Sequence, residues 1–451
     1  MTHPASSAPP SGPTTRSAPA SRNSLLRDRN VAWLMGGAIV SMLGDQFTLV
    51  ALPWLVLRMT GDTMVLGTVM ALLGVPRALF ILLGGAVVDR HSPKRVLMLS
   101  KHVNTVLLGV LTLLVLFDRL TLPLVYALAL GIGLSTAFSI PAATSMLPQV
   151  VQQQQLPAAN SLMMGLRQLS FFVGPLLAGL LIAWFGDGSA SGVGGARDAR
   201  GLGLAFGLDA LSFALSAITL AQVRITPAPA RAHSPVFTAV AVGLRSFWRD
   251  RALRSCLLYW SAVAVLITGP VQIALPVLAS SQPSLGAAAF GSLLAAHGAG
   301  TLAGMVISGA RPHLRAVNLG LTILLVDGIV GLLFMPVGHI DALWQGVVLL
   351  VTIGVLGGYM QVTVFTWIQR RVAPELLGRA MSVFMFIFMG LAPLSSAVTG
   401  WVLRSVALPT LFVAAGGALV GVALLALLGS SMRQVTDGPA AVPTARSPAS
   451  S

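Results

Sequence analysis

The chain is a succession of long apolar runs separated by short polar punctuation. Runs lie at about 31–57, 65–88, 96–117, 122–140, 160–184 and 202–223, and six more at about 256–278, 287–309, 317–337, 343–366, 380–402 and 409–430. Most meet or exceed the ~20 residues an α-helix needs to cross ~30 Å of hydrocarbon. A helix also satisfies its own backbone hydrogen bonds there, which an isolated strand does not. The pattern predicts an all-α integral membrane protein: twelve transmembrane helices in two six-helix halves, residues 25–223 and 256–430. Between the halves, residues 224–255 form a polar, Arg-rich linker. In it Phe237, Val240, Leu244, Phe247 and Trp248 recur at helical spacing opposite Arg245, Arg249 and Arg251, which predicts an amphipathic helix lying in the membrane interface. Residues 1–24 and 431–451 are expected to be disordered cytoplasmic tails. The first of these has no apolar core and does not read as a signal peptide.

Composition reaches the same class. Of 451 residues 55% are hydrophobic and only 9% charged, against roughly 25% charged in soluble proteins. The net charge of +15 is spread over short loops rather than gathered in one patch. Its expected counterparts are therefore anionic lipid headgroups and not nucleic acid. Orientation follows from the same bases. Arg58, Arg119, Arg197, Arg200 and Arg404 fall on one side and Arg77 and Arg167 inside spans, while all the others of the 28, Lys101 among them, fall on the side of the N-terminus. Both termini are then cytoplasmic. A lone cysteine, Cys256, excludes an internal disulfide. The dominance of Arg over Lys, with many Ala and Gly, points to a GC-rich bacterial gene and so to a bacterial inner membrane.

One loop is chemically distinctive. Residues 84–95 read GGAVVDRHSPKR, joining the second and third runs. The order Gly85, Asp89-Arg90, Lys94-Arg95 resembles the signature loop between helices 2 and 3 of the major facilitator superfamily. That resemblance implies a secondary transporter working by alternating access. It also implies a gating role for these five residues, with the Asp89 carboxylate meeting the N-terminus of helix 11, where the helix dipole favours negative charge. An internal repeat agrees: a constant shift carries Gly84 onto Gly304, Asp89 onto Gly309 and Arg95 onto Arg315, so the second copy keeps the glycine and the last base and loses the acid. Parallel halves related by an axis along the membrane normal are expected.

In the fifth run, Gly174-Pro175 followed by Ala178-Gly179 resembles the Gly-Pro signature of superfamily antiporters, with Ser161, Ser170 and Ala178 in place of glycines. All are small, so a neighbouring helix can approach closely. The stretches VSMLGDQFTLVALPWLVLRMTGD, LPAANSLMMGLRQLSFFVGP and GLRSFWRDRALR resemble the twelve-helix branch that contains macrolide-efflux proteins and the enterobactin exporter. The fourth run has no arginine, where many proton-driven exporters of the superfamily have one, and this leaves proton coupling open.

Ionisable residues inside spans are costly and are site candidates by default. Here they are Asp45, Arg77, Arg167, Asp209, His297 and Asp327. Asp45 and Arg77 lie near the centres of adjacent helices and are expected to pair, either as a static lock or with Asp45 as the proton-responsive group. Asp209 reads equally as locally hydrogen-bonded, and His297 as a packing residue. Gln46, Gln168, Gln272 and Gln361 are candidate cavity groups, and Met163, Met164, Met360, Trp367, Phe384 and Phe386 a candidate apolar wall. No metal-ligand spacing or nucleotide loop occurs, so no enzyme, metal or cofactor is expected. The expectation is a monomeric exporter of a lipophilic small molecule (a drug, macrolide or siderophore-like compound), coupled to protons and surrounded by membrane lipids. An importer of a small solute and a non-transporting receptor or scaffold are the alternatives.

Overall fold

The computed structural model describes residues 28–90, 92–186, 198–225, 248, 250–282, 284–311, 318–372, 374–430, 432 and 435. Among them there are helices and no strands. We number the long helices α1 Arg29–Thr60, α2 Thr63–Arg90, α3 Pro93–Leu116, α4 Leu122–Val150, α5 Leu156–Phe185 and α6 Asp198–Gln222. The second set is α7 Arg251–Ser281, α8 Ala287–Ala310, α9 Leu319–Phe334, α10 Leu343–Arg371, α11 Pro374–Val402 and α12 Leu408–Gly429. Eleven helices among the described residues are long and apolar enough to cross a membrane. The remaining one, α11, spans 29 residues. The fourth apolar run is longer than its hydropathy indicated, because α4 continues through Pro141 and Pro148 to Val150.

Local signals set the helix ends. The Asp28 carboxylate accepts from the N–H groups of Asn30 (2.8 Å) and Val31 (3.3 Å), capping α1. Gly61, at φ +62°, closes the other end in the left-handed conformation that glycine adopts freely. Asp62 then caps α2 by accepting from Met64 N–H at 2.7 Å. In the second half Asp250 does for α7 what Asp28 does for α1, accepting from Ala252 (2.8 Å) and Leu253 (3.3 Å). The repeat is therefore visible in the caps as well as in the loops.

Packing repeats in the same way. Helix α1 lies against α5 and α6, α2 against α4, and α3 against α4 and α6; α7 lies against α11 and α12, α8 against α10, and α9 against α10 and α12. Across the halves the two principal contacts are α5 with α8 and α2 with α11. Among the described residues they are concentrated at one end of the bundle. There Thr63 Oγ1 donates to the Gly400 carbonyl (2.9 Å) and Arg404 pairs with Asp62 at 2.9 Å. Gly179 packs on the backbone of Ala287 and Gly291, and Gly67 on that of Ser396. Small residues are what permit such backbone-to-backbone approach, as expected where lipid provides no hydrophobic drive.

The segment after α12 adds a finding the sequence did not suggest. Met432 and Val435, at the start of the stretch read as a tail, are buried. Val435 accepts from Gly320 N–H at 3.0 Å, and Met432 Sδ lies 3.3 Å from Cys256 Sγ. Residues 1–27 and 436–451, and the amphipathic segment at 226–247, lie outside the described residues.

Candidate functional site: a charged interior in the first half

Each ionisable candidate occupies the middle of a helix. Asp45 sits halfway along α1, Arg77 halfway along α2 and Arg167 in the first half of α5. All three are charge-coupled: Arg77 and Arg167 both act on Asp45 and on each other. They nevertheless do not lock together. Asp45 makes no ion pair within 4.0 Å among the described residues, so the expected Asp45–Arg77 pair is a convergence and not a bridge. Arg77 Nε is buried with no hydrogen-bond partner. Arg167 and Asp45 present exposed surface in the depth of the bundle, and the Arg167 guanidinium stacks 5.8 Å from the Phe171 ring centroid.

Behind Asp45 lies a second, drier set. The Asp209 side chain on α6 is 1% exposed, accepting from Thr48 Oγ1 (2.5 Å) and Ser212 Oγ (3.2 Å). The local hydrogen bond read from FGLDALSFALSA is therefore present, and Thr48 adds a partner from α1. Lys101 on α3 corrects the sequence reading. Counted with the loop bases, it is in fact buried at 8% exposure, two turns beyond Pro93. Its Nζ donates to Ser41 Oγ (3.1 Å), lies 5.3 Å from the Phe213 ring centroid and is charge-coupled to both Asp45 and Asp209. Ser100 and Asn104, which share its face of α3, are buried with it.

The other candidates are dispersed. His297 on α8 is half-buried, with the Leu350 backbone of α10 near its ring. Asp327 on α9 is buried and faces the Tyr259 hydroxyl of α7, with no full hydrogen bond between them. Gln168 Nε2 donates across the halves to the Gly298 carbonyl at 3.5 Å. Gln272, within a π-helical turn at Pro270–Ala274, accepts from Ser396 Oγ at 3.0 Å; such local widening recurs at functional sites. Met360, Trp367 and Phe384 are buried, and Phe384 stacks edge-on against Trp260 and Phe365, so these three pack the second half instead of lining a wall.

The motif residues divide in the same way. Gly174 admits the Gln46 side chain of α1, while the Pro175 carbonyl and Gly179 face Gly291 of α8, so the Gly-Pro face of α5 is part of the seal between halves. Lys94 reaches the exposed end of α6, donating to the carbonyls of Ala221 (2.9 Å) and Val223 (2.6 Å). A cation there complements the negative end of the helix dipole. Arg95 is exposed. Gly85, Asp89 and Arg90 continue α2, and their side-chain surroundings lie outside the described residues. At the corresponding end of the second half, Arg371 grips Asp250 through Nε (2.9 Å) and Nη2 (3.2 Å), joining α10 to α7. Burial pushes the Asp250 carboxyl up, but the Arg371 hydrogen bonds and charge, with the two backbone N–H groups, outweigh it and hold the acid below its ordinary value.

Comparison with known proteins agrees with this architecture. The enterobactin exporter EntS of Salmonella typhi is 26% identical over 333 residues, covering 73% of this chain and 75% of its own. The multidrug efflux pump Tap of Mycobacterium tuberculosis is 27% identical over 422 residues, covering 90% and 95%. Among solved structures, the nucleoside transporter NupG superposes with a TM-score of 0.70 at 11% identity, covering 90% of this chain and 99% of its own. A bacterial homologue of ferroportin, solved inward-facing, superposes at 0.66 with 15% identity over 89% and 98%. These structures share the fold. The profile of the Major Facilitator Superfamily matches residues 34–396, and with two half-bundles, a cross-half seal and a charged interior in place, the chain belongs to that superfamily of transporters.

Proposed function

We propose that this transporter exports a lipophilic small molecule from a bacterial cell by alternating access, driven by the proton gradient, with both termini in the cytoplasm. The observation that carries the reading is the asymmetry of the cross-half contacts. The halves are sealed where α5 meets α8 and α2 meets α11, while Asp45 and Arg167 keep exposed surface at mid-depth. The distribution of basic residues supports taking the sealed end as the outer one, and on that reading the described conformation is inward-facing. Export as the direction draws on the names of the enterobactin exporter and the multidrug efflux pump. Asp45 is the proton-responsive group, poised against Arg77, Arg167 and Lys101. In the signature loop, Asp89 holds one access state.

The test is energised uptake into everted membrane vesicles with a panel of dyes, macrolides and siderophores, alongside a reporter fused after Ser451. Substrate-dependent uptake that collapses with a protonophore, with the fusion reporting the cytoplasmic side, is the expected result. An extracytoplasmic fusion signal overturns the orientation, and uptake only in right-side-out vesicles overturns export. Exchanging Asp45 and Arg77 separates a carrier from a lock: restored pH-dependent transport in the double exchange removes the carrier role from Asp45.

A further inference from the structure

We infer that Arg77 and Arg167 form an anion-binding site in the interior of the first half, and that the preferred substrates are lipophilic molecules bearing one acidic group. This deepens the export reading above and rests on it for the word substrate, though not for the site.

The argument starts from charge. Five ionisable side chains occupy the interior of the first half: Arg77, Lys101 and Arg167 against Asp45 and Asp209. One positive charge is left over. Lys101 and Asp209 belong to the dry layer between α1, α3 and α6, where hydroxyls of Ser41, Thr48 and Ser212 hold them. Lys101 acts on Asp45 as well as on Asp209, so the unbalanced charge falls on the two guanidiniums, Arg77 and Arg167, which share Asp45 with it. Helix α4, which packs on α2 and α3, brings no charged residue to this region.

The second point is hydrogen bonding. A guanidinium carries five N–H donors in a planar fork suited to a carboxylate, phenolate or sulfonate. Where arginine serves a structural role in this protein it is engaged, as Arg371 is with Asp250 and Arg404 with Asp62. Arg77 and Arg167 have no hydrogen bond to any described residue, and Arg77 Nε is shielded from solvent without a partner. A shielded donor without a partner costs free energy that an incoming acceptor recovers. The third point is apolar surface beside the charge. Phe171 lies against the Arg167 guanidinium, and Met164, one turn before it, is exposed. An aromatic face next to a free guanidinium suits an amphiphile with an acidic head and a flat apolar body. Among the described residues, Asp327 of the second half faces the Tyr259 hydroxyl and is not among the charges acting on Arg77 or Arg167.

The experiment uses the full chain in nanodiscs of phosphatidylcholine. Its probes are an aminocoumarin carboxylate and its neutral ethyl ester, read by fluorescence polarisation. Wild type is expected to bind the acid on the order of tenfold more tightly than the ester. Arg167→Gln and Arg77→Gln each abolish that preference by weakening the acid alone, and Arg167→Lys, which keeps the charge, retains most of it. Equal binding of acid and ester in wild type, or an equal loss of both in the Gln variants, overturns the site. Acid binding that disappears when phosphatidylglycerol replaces part of the phosphatidylcholine makes the occupant a lipid headgroup and overturns the substrate assignment. Everted vesicles separate the two readings. Uptake of the ester without binding of the acid leaves export standing and removes the anion site. Arginine-dependent binding of the acid without uptake does the reverse.

Discussion

Adding one methyl group at Gly179 should unseat the closed end of the transporter. A Cβ built there lies 2.7 Å from the Ala287 carbonyl oxygen and 2.9 Å from Gly291 Cα. Both neighbours are backbone, so neither yields by a side-chain rotation, and α5 and α8 must move apart. Overpacking of this kind costs about 1–3 kcal/mol, and here it is charged only to the state in which the helices touch. The ratio of sealed to unsealed molecules should fall roughly 5- to 150-fold. Gly165 is the control on the same helix: nothing lies within 4 Å of a Cβ there. Its alanine variant gains the same helix propensity, about 0.5–1 kcal/mol, in both states. The assay is pulsed electron paramagnetic resonance between spin labels at Thr60→Cys and Ser405→Cys, on opposite halves beside the Asp62–Arg404 pair. Native Cys256 is 1% exposed and stays unlabelled. Gly179→Ala should add a longer-distance population and Gly165→Ala should not. Unchanged distances in a folded Gly179→Ala protein, or equal shifts in both variants, refute the claim that this glycine contact seals the closed end.

Other outcomes follow from single contacts. Lys101→Met leaves the Asp209 carboxylate without its cation in a dry site. The cost should lie toward the low end of roughly 3–5 kcal/mol, because the two are coupled beyond 4.0 Å; thermal unfolding should show Lys101→Met with Asp209→Asn more stable than Lys101→Met alone. Arg404→Gln removes a pair whose side chains are 55% and 28% exposed, so global stability should change by less than about 1 kcal/mol, with any change in spin-label distances fading at high salt. Asp250 is held below its ordinary value in the folded protein. Its contribution is present above the unfolded carboxylate pKa, about 3.9, and is lost as pH falls through the lower folded value. The melting-temperature gap between wild type and Asp250→Asn should therefore be full at neutral pH and close in acid; a gap that widens in acid contradicts this sign.

The architecture was legible in the sequence because the bilayer simplifies the problem. Hydrocarbon favours spanning segments that are helical and apolar, so run length alone places α1 to α3, α5 to α10 and α12 to within a few residues, and the loop glycines and acids mark their ends, whereas α4 runs ten residues past its apolar stretch. Asp45, Arg77 and Arg167 stood out for the same reason, since a charge at mid-membrane has no cheap explanation. Partnership was not legible. Residues Asp45 and Arg77, on adjacent helices, suggested a pair, yet tertiary packing adds Arg167 and Lys101 to the same field and leaves the three cavity charges unbridged. Lys101 looked like a loop base because position along a run says how deep a residue lies, not which way it faces. Only the packing of α3 on α6 turns it inward. Gly179 read as a small residue able to face any neighbour, and the docking of α5 on α8 decided which one. The physical reason is common to all three. Hydrophobicity and helix length are properties of one segment and can be summed along it, whereas a hydrogen bond, a buried charge or a backbone contact is a property of two segments, fixed only once their helices have docked.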